Sequence, residues 1–160
     1  MTKEKPETEK QPPIQNNSKL LSFLIEDAVF AINIMSVREI RGWSPATTLP
    51  HAPQFVQGVM NLRGVVLPVI DLAQRLGMQR ENYTERDVII VVENEENTFG
   101  LRVSAVSDIL SINSAEIQTP PEFADHNIHE TVLGLFLVGD ELVRILDLET
   151  MLPKPGTIAA

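Results

Sequence analysis

The chain contains no cysteine, which excludes a disulfide framework, a thiolate metal site and a cysteine nucleophile together. That suits a reducing compartment, and cytoplasm is the expected location. Aromatic residues make up 5% of the chain, too few for a platform on which single-stranded nucleic acid stacks. Basic residues are also scarce. Thirteen Lys and Arg face 22 Asp and Glu, and the net charge of −9 repels phosphate backbones unless a basic patch is segregated, which the sequence does not show. No nucleic-acid partner is expected. No apolar run approaches the roughly 18 residues needed to span a bilayer, and the N-terminal residues lack an apolar signal core, so neither export nor membrane insertion is expected. The sequence has no G-x-G-x-x-G, Walker, G-x-S-x-G or H-E-x-x-H motif, and so lacks the usual phosphate cradles and hydrolase signatures. No cofactor and no catalytic residue are expected.

What is present is short apolar strands punctuated by turn residues. The organising stretch is FVQGVMNLRGVVLPVIDLAQRL, Phe55 to Leu76. Two apolar runs flank Arg63-Gly64, a hairpin signal because the glycine accepts positive φ. Pro68 cannot donate to a ladder, which predicts an edge strand or a bulge there. Asp71 is placed to cap a short helix with Gln74 completing a capping box, and Gly77 to end it. A second hairpin is expected around Glu26-Asp27, a strand over VIIVV after Asp87, strands over Phe99–Val103 and Val106–Ile112, and a last hairpin turning at Gly139-Asp140.

The pieces repeat. Gly58 to Asp71 and Gly134 to Asp147 each span 13 residues, each a hairpin leading into Asp-Leu with another leucine four residues on. Phe30, Ile32, Val37, Glu39 and Ile40 match the spacing of Phe99, Leu101, Val106, Asp108 and Ile109. Two short-stranded copies imply two small curled sheets or barrels sharing an apolar seam, and an apolar groove between them is a candidate partner site. The expected organisation is a disordered tail over 1–17, one domain over 18–154 with subdomains of about 18–82 and 83–154, and a C-terminal tail over 155–160.

Candidate functional residues each have two readings. Arg63 is either a solvated turn charge or a guanidinium held outward for a partner. Glu39 and Arg41 flank Ile40 on one strand face, as a surface ion pair or part of a contact. Trp43 is either a binding anchor or a partly buried core ring. His51 reads as a loop residue. Asp125, His126, His129 and Glu130 form the best metal-ligand spacing, either a polar loop or the site of a small metal-dependent enzyme using His126 and His129.

Taken together, VREIRG at 37–42, PQFVQGVMNLRGVVLPVIDL at 53–72, VSDIL at 106–110 and PPEF at 120–123 resemble the CheW family of bacterial chemotaxis coupling proteins over about Leu20 to Leu152. The resemblance implies a mainly β fold of two SH3-like five-stranded barrels sharing a hydrophobic core, with short helices after the hairpins, and a non-enzymatic adaptor. It implies as partners the tips of methyl-accepting chemoreceptors, the regulatory domain of the histidine kinase CheA, and other CheW subunits in membrane-associated arrays. By the same resemblance Val37, Glu39, Ile40 and Arg63 couple receptor and kinase, Gly58 affects kinase association, and Glu122 and Phe123 form the array contact of the second barrel. The chain departs from the family at Ser104-Ala105, where members often carry Asp-Gly or Asp-Ser, and at Gln118, where some are basic. Such departures fit a paralogue serving a pilus or another receptor array. A CheV-like adaptor with an attached phospho-receiver does not fit 160 residues.

Overall fold

The computed structural model describes residues 18–121 and 130–153. Among the described residues, ten strands form two five-stranded sheets. They are β1 (Ser18–Ile25), β2 (Ala28–Asn33), β3 (Val37–Gly42), β4 (Val56–Leu62), β5 (Val65–Asp71), β6 (Val88–Asn94), β7 (Asn97–Val103), β8 (Ala105–Ile112), β9 (Val132–Val138) and β10 (Glu141–Leu146). Helix α1 (Leu72–Arg75) follows β5, and α2 (Leu148–Met151) follows β10. The expected repeat is present as β1–β5 against β6–β10, each copy ending in a hairpin and a single helical turn.

The copies do not fold separately. One sheet has the order β3-β6-β7-β5-β4 and the other β8-β1-β2-β10-β9. Each copy therefore gives its first hairpin to one barrel and its last three strands to the other. The continuous barrel uses β3 to β7; the split barrel uses β1, β2, β8, β9 and β10. This corrects the division at 82/83. The exchange is fixed by the parallel pairings of β5 with β7 and of β10 with β2, which join strands of different copies. Such pairings need distant segments and leave no local signal.

Alternation along the strands explains how the barrels join. Ile89 and Val91 fill the continuous barrel with Met60, Leu62, Leu67 and Val69, while Ile90 and Val92 point to the other side. Leu20 and Ala31 fill the split barrel with Ile112, Phe136, Val143 and Ile145, while Leu21, Phe23, Phe30 and Ile32 point away from it. The outward sets meet in one buried seam that also takes Leu72, Leu101, Leu148 and Met151. VIIVV reads as an unbroken apolar run because its strand is buried on both faces. The seam is filled by this packing, so the apolar faces that the two barrels share are core.

Both helices end a strand at an aspartate, but the two caps differ. Asp147 accepts from the Glu149 backbone at 3.1 Å and from Thr150 Oγ1 at 2.9 Å. Asp71 makes no side-chain cap, against expectation; its Oδ2 accepts from the Tyr83 hydroxyl at 2.5 Å. The α1 end is as expected, with Gly77 N–H donating to Gln74 O and Met78 N–H to Ala73 O, the paired bonds of a Schellman motif. Pro68 lies in neither an edge strand nor a bulge of its own. It faces Val59 across the β4–β5 ladder, one residue before β7 begins to pair with β5 at Val69. The irregularity falls instead on β4, between Val56 and Gly58.

Candidate functional site: the Arg63 hairpin tip and the barrel closure

Strands β3 and β4 are the two edges of the continuous barrel. A barrel of this kind has to close there, because open edges expose unpaired backbone groups. Closure is made by a short bridge and a clasp. Thr47 and Val59 exchange both backbone hydrogen bonds at 2.8 Å. Arg63, at the β4–β5 tip, pairs with Glu39 of β3. Arg41 stands 3.6 Å from the same carboxylate, so Glu39 and Arg41 do share a face, and Arg38 pairs separately with Glu93 at 2.6 Å.

The tip is a two-residue turn with both residues at positive φ, Arg63 at 53° and Gly64 at 85°, the twist that fits a tight hairpin. Asn61 Oδ1 accepts from Gly64 N–H at 2.8 Å and fixes the turn. This geometry holds the arginine out, with 67% of its side chain exposed. The guanidinium faces outward and is at the same time paired with Glu39. The hydrogen bond from Arg63 holds the Glu39 carboxyl below its ordinary value, and the same bond raises the arginine.

Glu39 and Arg63 line a groove of about 250 Å³ with Arg38, Leu62, Val65 and Thr98. A second groove, about 310 Å³, runs between Arg41, Pro45, Thr47, Asn61 and Val66. Val65 and Val66 stand 59% and 67% exposed beside the arginine, and Ile40 is 47% exposed. The two valines were legible only as strand residues; their place next to a turn with an outward arginine is the signal that marks them.

The sequence-derived set is therefore divided. Glu39 and Arg63 are brought together. Ile40 lies between Glu39 and Arg41 on the other face of β3, and Val37 packs against the shared seam. Gly58 is buried behind the tip, at φ 154°, and a Cβ there would overlap the Thr47 carbonyl. Its place is thus in the closure and not on the contact surface. Glu122 and Phe123 lie outside the described residues, as do Asp125, His126 and His129. Among the described residues no group of three or more His, Asp and Glu is placed to hold a metal.

Trp43 is a partly buried ring against the barrel core, stacked over Arg102 at 4.8 Å. His51 is an exposed loop residue at φ 63°. Of the two departures from the family, Ser104 has local structural work: its Oγ accepts from Glu26 N–H at 2.8 Å. Gln118 exchanges two backbone bonds with Leu135, the split-barrel counterpart of the Thr47–Val59 bridge, which do not involve its side chain.

The architecture is two interlocked SH3-like barrels with the clasped Arg63 tip and the exposed Val65 and Val66 on the surface of one of them. The CheW-like domain model matches residues 19–155. The chain is 44% identical over 146 residues to a probable chemotaxis protein CheW of Rhizobium etli, covering 91% of this chain and 94% of that protein. It is 42% identical over 142 residues to the chemotaxis protein CheW of Rhizobium meliloti, covering 89% and 92%. The solved scaffolding protein TtCheW of Thermoanaerobacter tengcongensis superposes with a TM-score of 0.78 at 28% identity, over 89% of this chain and 97% of that one. The chain belongs to the CheW family of chemotaxis coupling proteins, which are scaffolds and not enzymes.

Proposed function

We propose that this chain couples the cytoplasmic tips of chemoreceptors to the regulatory domain of a CheA-type histidine kinase, within arrays at the membrane. The observation that carries the reading is the asymmetry between the two hairpin tips. The fold is built twice, so what both copies share is explained by folding. Both tips are flanked by exposed apolar residues, Val65 and Val66 in one and Leu137, Val138 and Leu142 in the other, but an arginine clasped to a neighbouring strand occurs at the first alone, where the second turns through Gly139-Asp140. In this reading Val65 and Val66 supply apolar contact at the tip, Arg63 orients it, and Ile40, on the other face of β3, supplies a separate apolar contact. Val37 and Gly58 support the surface from behind. Glu122 and Phe123 are proposed for contact with a neighbouring kinase or CheW subunit.

Magnitude argues for shared contacts. Burying the exposed parts of Ile40, Val65 and Val66 contributes about 1 kcal/mol each, roughly 3 kcal/mol together. A micromolar complex needs about 8 kcal/mol. One tip is therefore a weak contact, and several partners held at once provide the remainder, as an array does.

The test is co-sedimentation of the protein with receptor-containing membranes and CheA, followed by a kinase assay. Arg63→Glu is expected to keep the thermal midpoint while receptor-dependent stimulation falls at least tenfold. Full stimulation by a folded Arg63→Glu protein would reduce the arginine to a turn residue, and failure of the unaltered protein to form the ternary complex would refute the coupling role.

A further inference from the structure

The end of the continuous barrel away from the Arg63 tip is plugged by charge. Asp87, 2% exposed, takes Arg80 Nη2 on one oxygen at 2.6 Å and Arg102 Nε on the other at 2.7 Å. The Arg102 guanidinium also lies 4.8 Å from the Trp43 ring and 4.9 Å from the Tyr83 ring, and Arg80 lies 4.4 Å from Tyr83. The Trp43 backbone N–H donates to Asp87 O at 3.1 Å. The cluster thus ties together β3, β7 and the segment between α1 and β6.

Buried charges are costly to assemble, and apolar residues of similar volume often replace them without loss of stability. The split barrel does without the charges. Register equivalence puts Ser18, Asn33 and Ile112 where the continuous barrel has Asp87, Arg102 and Trp43; the first two are polar and uncharged, Asn33 Oδ1 accepting from Met35 N–H at 2.9 Å, and Ile112 is ordinary core. The fold itself does not require the plug. Among the described residues it occurs in the barrel that carries Arg63 and not in the other.

Trp43 is the first residue after β3, and four residues later Thr47 makes the bridge to Val59 that closes the barrel. A planar guanidinium held between two rings fixes the tryptophan, and the tryptophan fixes where segment 43–47 starts. We propose that Asp87 and Arg102 are positioning residues for the coupling surface, setting the closure between β3 and β4 through Trp43. This rests on the coupling role proposed above for its functional consequence, but not for its structural one.

The test replaces the whole charge cluster, Arg80→Met with Asp87→Leu and Arg102→Met, so that no buried charge is left unpaired. Amide hydrogen exchange is then read at Thr47 and Val59, with the sister bridge at Gln118 and Leu135 as internal control. Exchange is expected to rise at least tenfold at Thr47 and Val59 and to stay unchanged at the sister bridge. Unchanged protection at Thr47 and Val59 would overturn the proposal. Should the triple variant not fold, Trp43→Leu leaves the charges in place and removes only the link, and the same local acceleration is expected. In the kinase assay the variant should lose coupling at least tenfold while folded; full coupling with an opened bridge would overturn the functional consequence. If the unaltered protein does not couple, the proposed function fails, and the exchange comparison still decides the positioning role.

Discussion

Gly58→Ala is the sharpest structural perturbation in this molecule. The new Cβ would overlap the Thr47 carbonyl oxygen and crowd Thr48 Cα at 3.1 Å, and the backbone stays at φ 154°, which L side chains rarely adopt. Because the obstacle is backbone, no rotamer change relieves it. Segment 47–48 has to move, which breaks the two Thr47–Val59 hydrogen bonds at about 0.5–1.5 kcal/mol each. Backbone strain adds about 1–3 kcal/mol. The expected loss is about 3–4 kcal/mol, a drop of roughly 10 °C in thermal midpoint for a chain of this size. Two comparisons isolate the cause. Gly64→Ala, at φ 85° with open space around it, should cost only about 1–2 kcal/mol. Gly134→Ala meets the Ile117 side chain first, so adding Ile117→Ala should recover most of its loss. No side-chain truncation should recover Gly58→Ala. Calorimetry of the four variants decides the matter, and a Gly58→Ala protein within about 0.5 kcal/mol of the original would refute the closure argument. If it holds, any effect of Gly58 on kinase association is expected to be indirect, through an opened barrel.

Two further outcomes follow from the inter-strand polar groups. Tyr83 is the only tyrosine, and burial, then its hydrogen bond to Asp71, pushes the phenol up to about 12 from 10.0. The unfolded chain gives up that proton first, so the contribution is intact below pH 10 and is lost as pH rises toward 12; an ultraviolet absorbance titration of the native protein should show the late phenolate, and Asp71→Asn should bring it earlier. Arg75 donates to the last carbonyls of α2, Met151 O at 2.8 Å and Thr150 O at 3.0 Å, so Arg75→Ala should cost about 1–3 kcal/mol by chemical denaturation, and a neutral result would remove this inter-copy tie.

Local features were legible because their causes are local. The Arg63-Gly64 turn, the Glu26-Asp27 hairpin, the Gly77 stop and the Asp147 cap all rest on residues within four positions of one another. Asp71 shows where that reasoning fails. Its sequence context matches Asp147, but Tyr83, 12 residues away, takes its carboxylate. The Glu39–Arg63 clasp spans 24 residues and could be named only as two separate candidates. Nothing in the sequence marked Asp87 and Arg102 as buried, since a charged residue beside a strand is more often solvated.

The Phe55–Leu76 stretch and its echo near the C-terminus determined by themselves that the chain builds one β unit twice, that the unit ends in a short helical turn after an aspartate, and that of these two tips the first carries an arginine. Period, turn chemistry and charge act over a few residues and are written in order along the chain. Tertiary structure alone decided that the copies exchange strands, that the seam between barrels is core, and that Gly58 serves the closure. Those depend on which distant strand lies alongside, and the pairing is chosen by the burial of two-faced strands such as VIIVV, one face inside its barrel and the other in the seam.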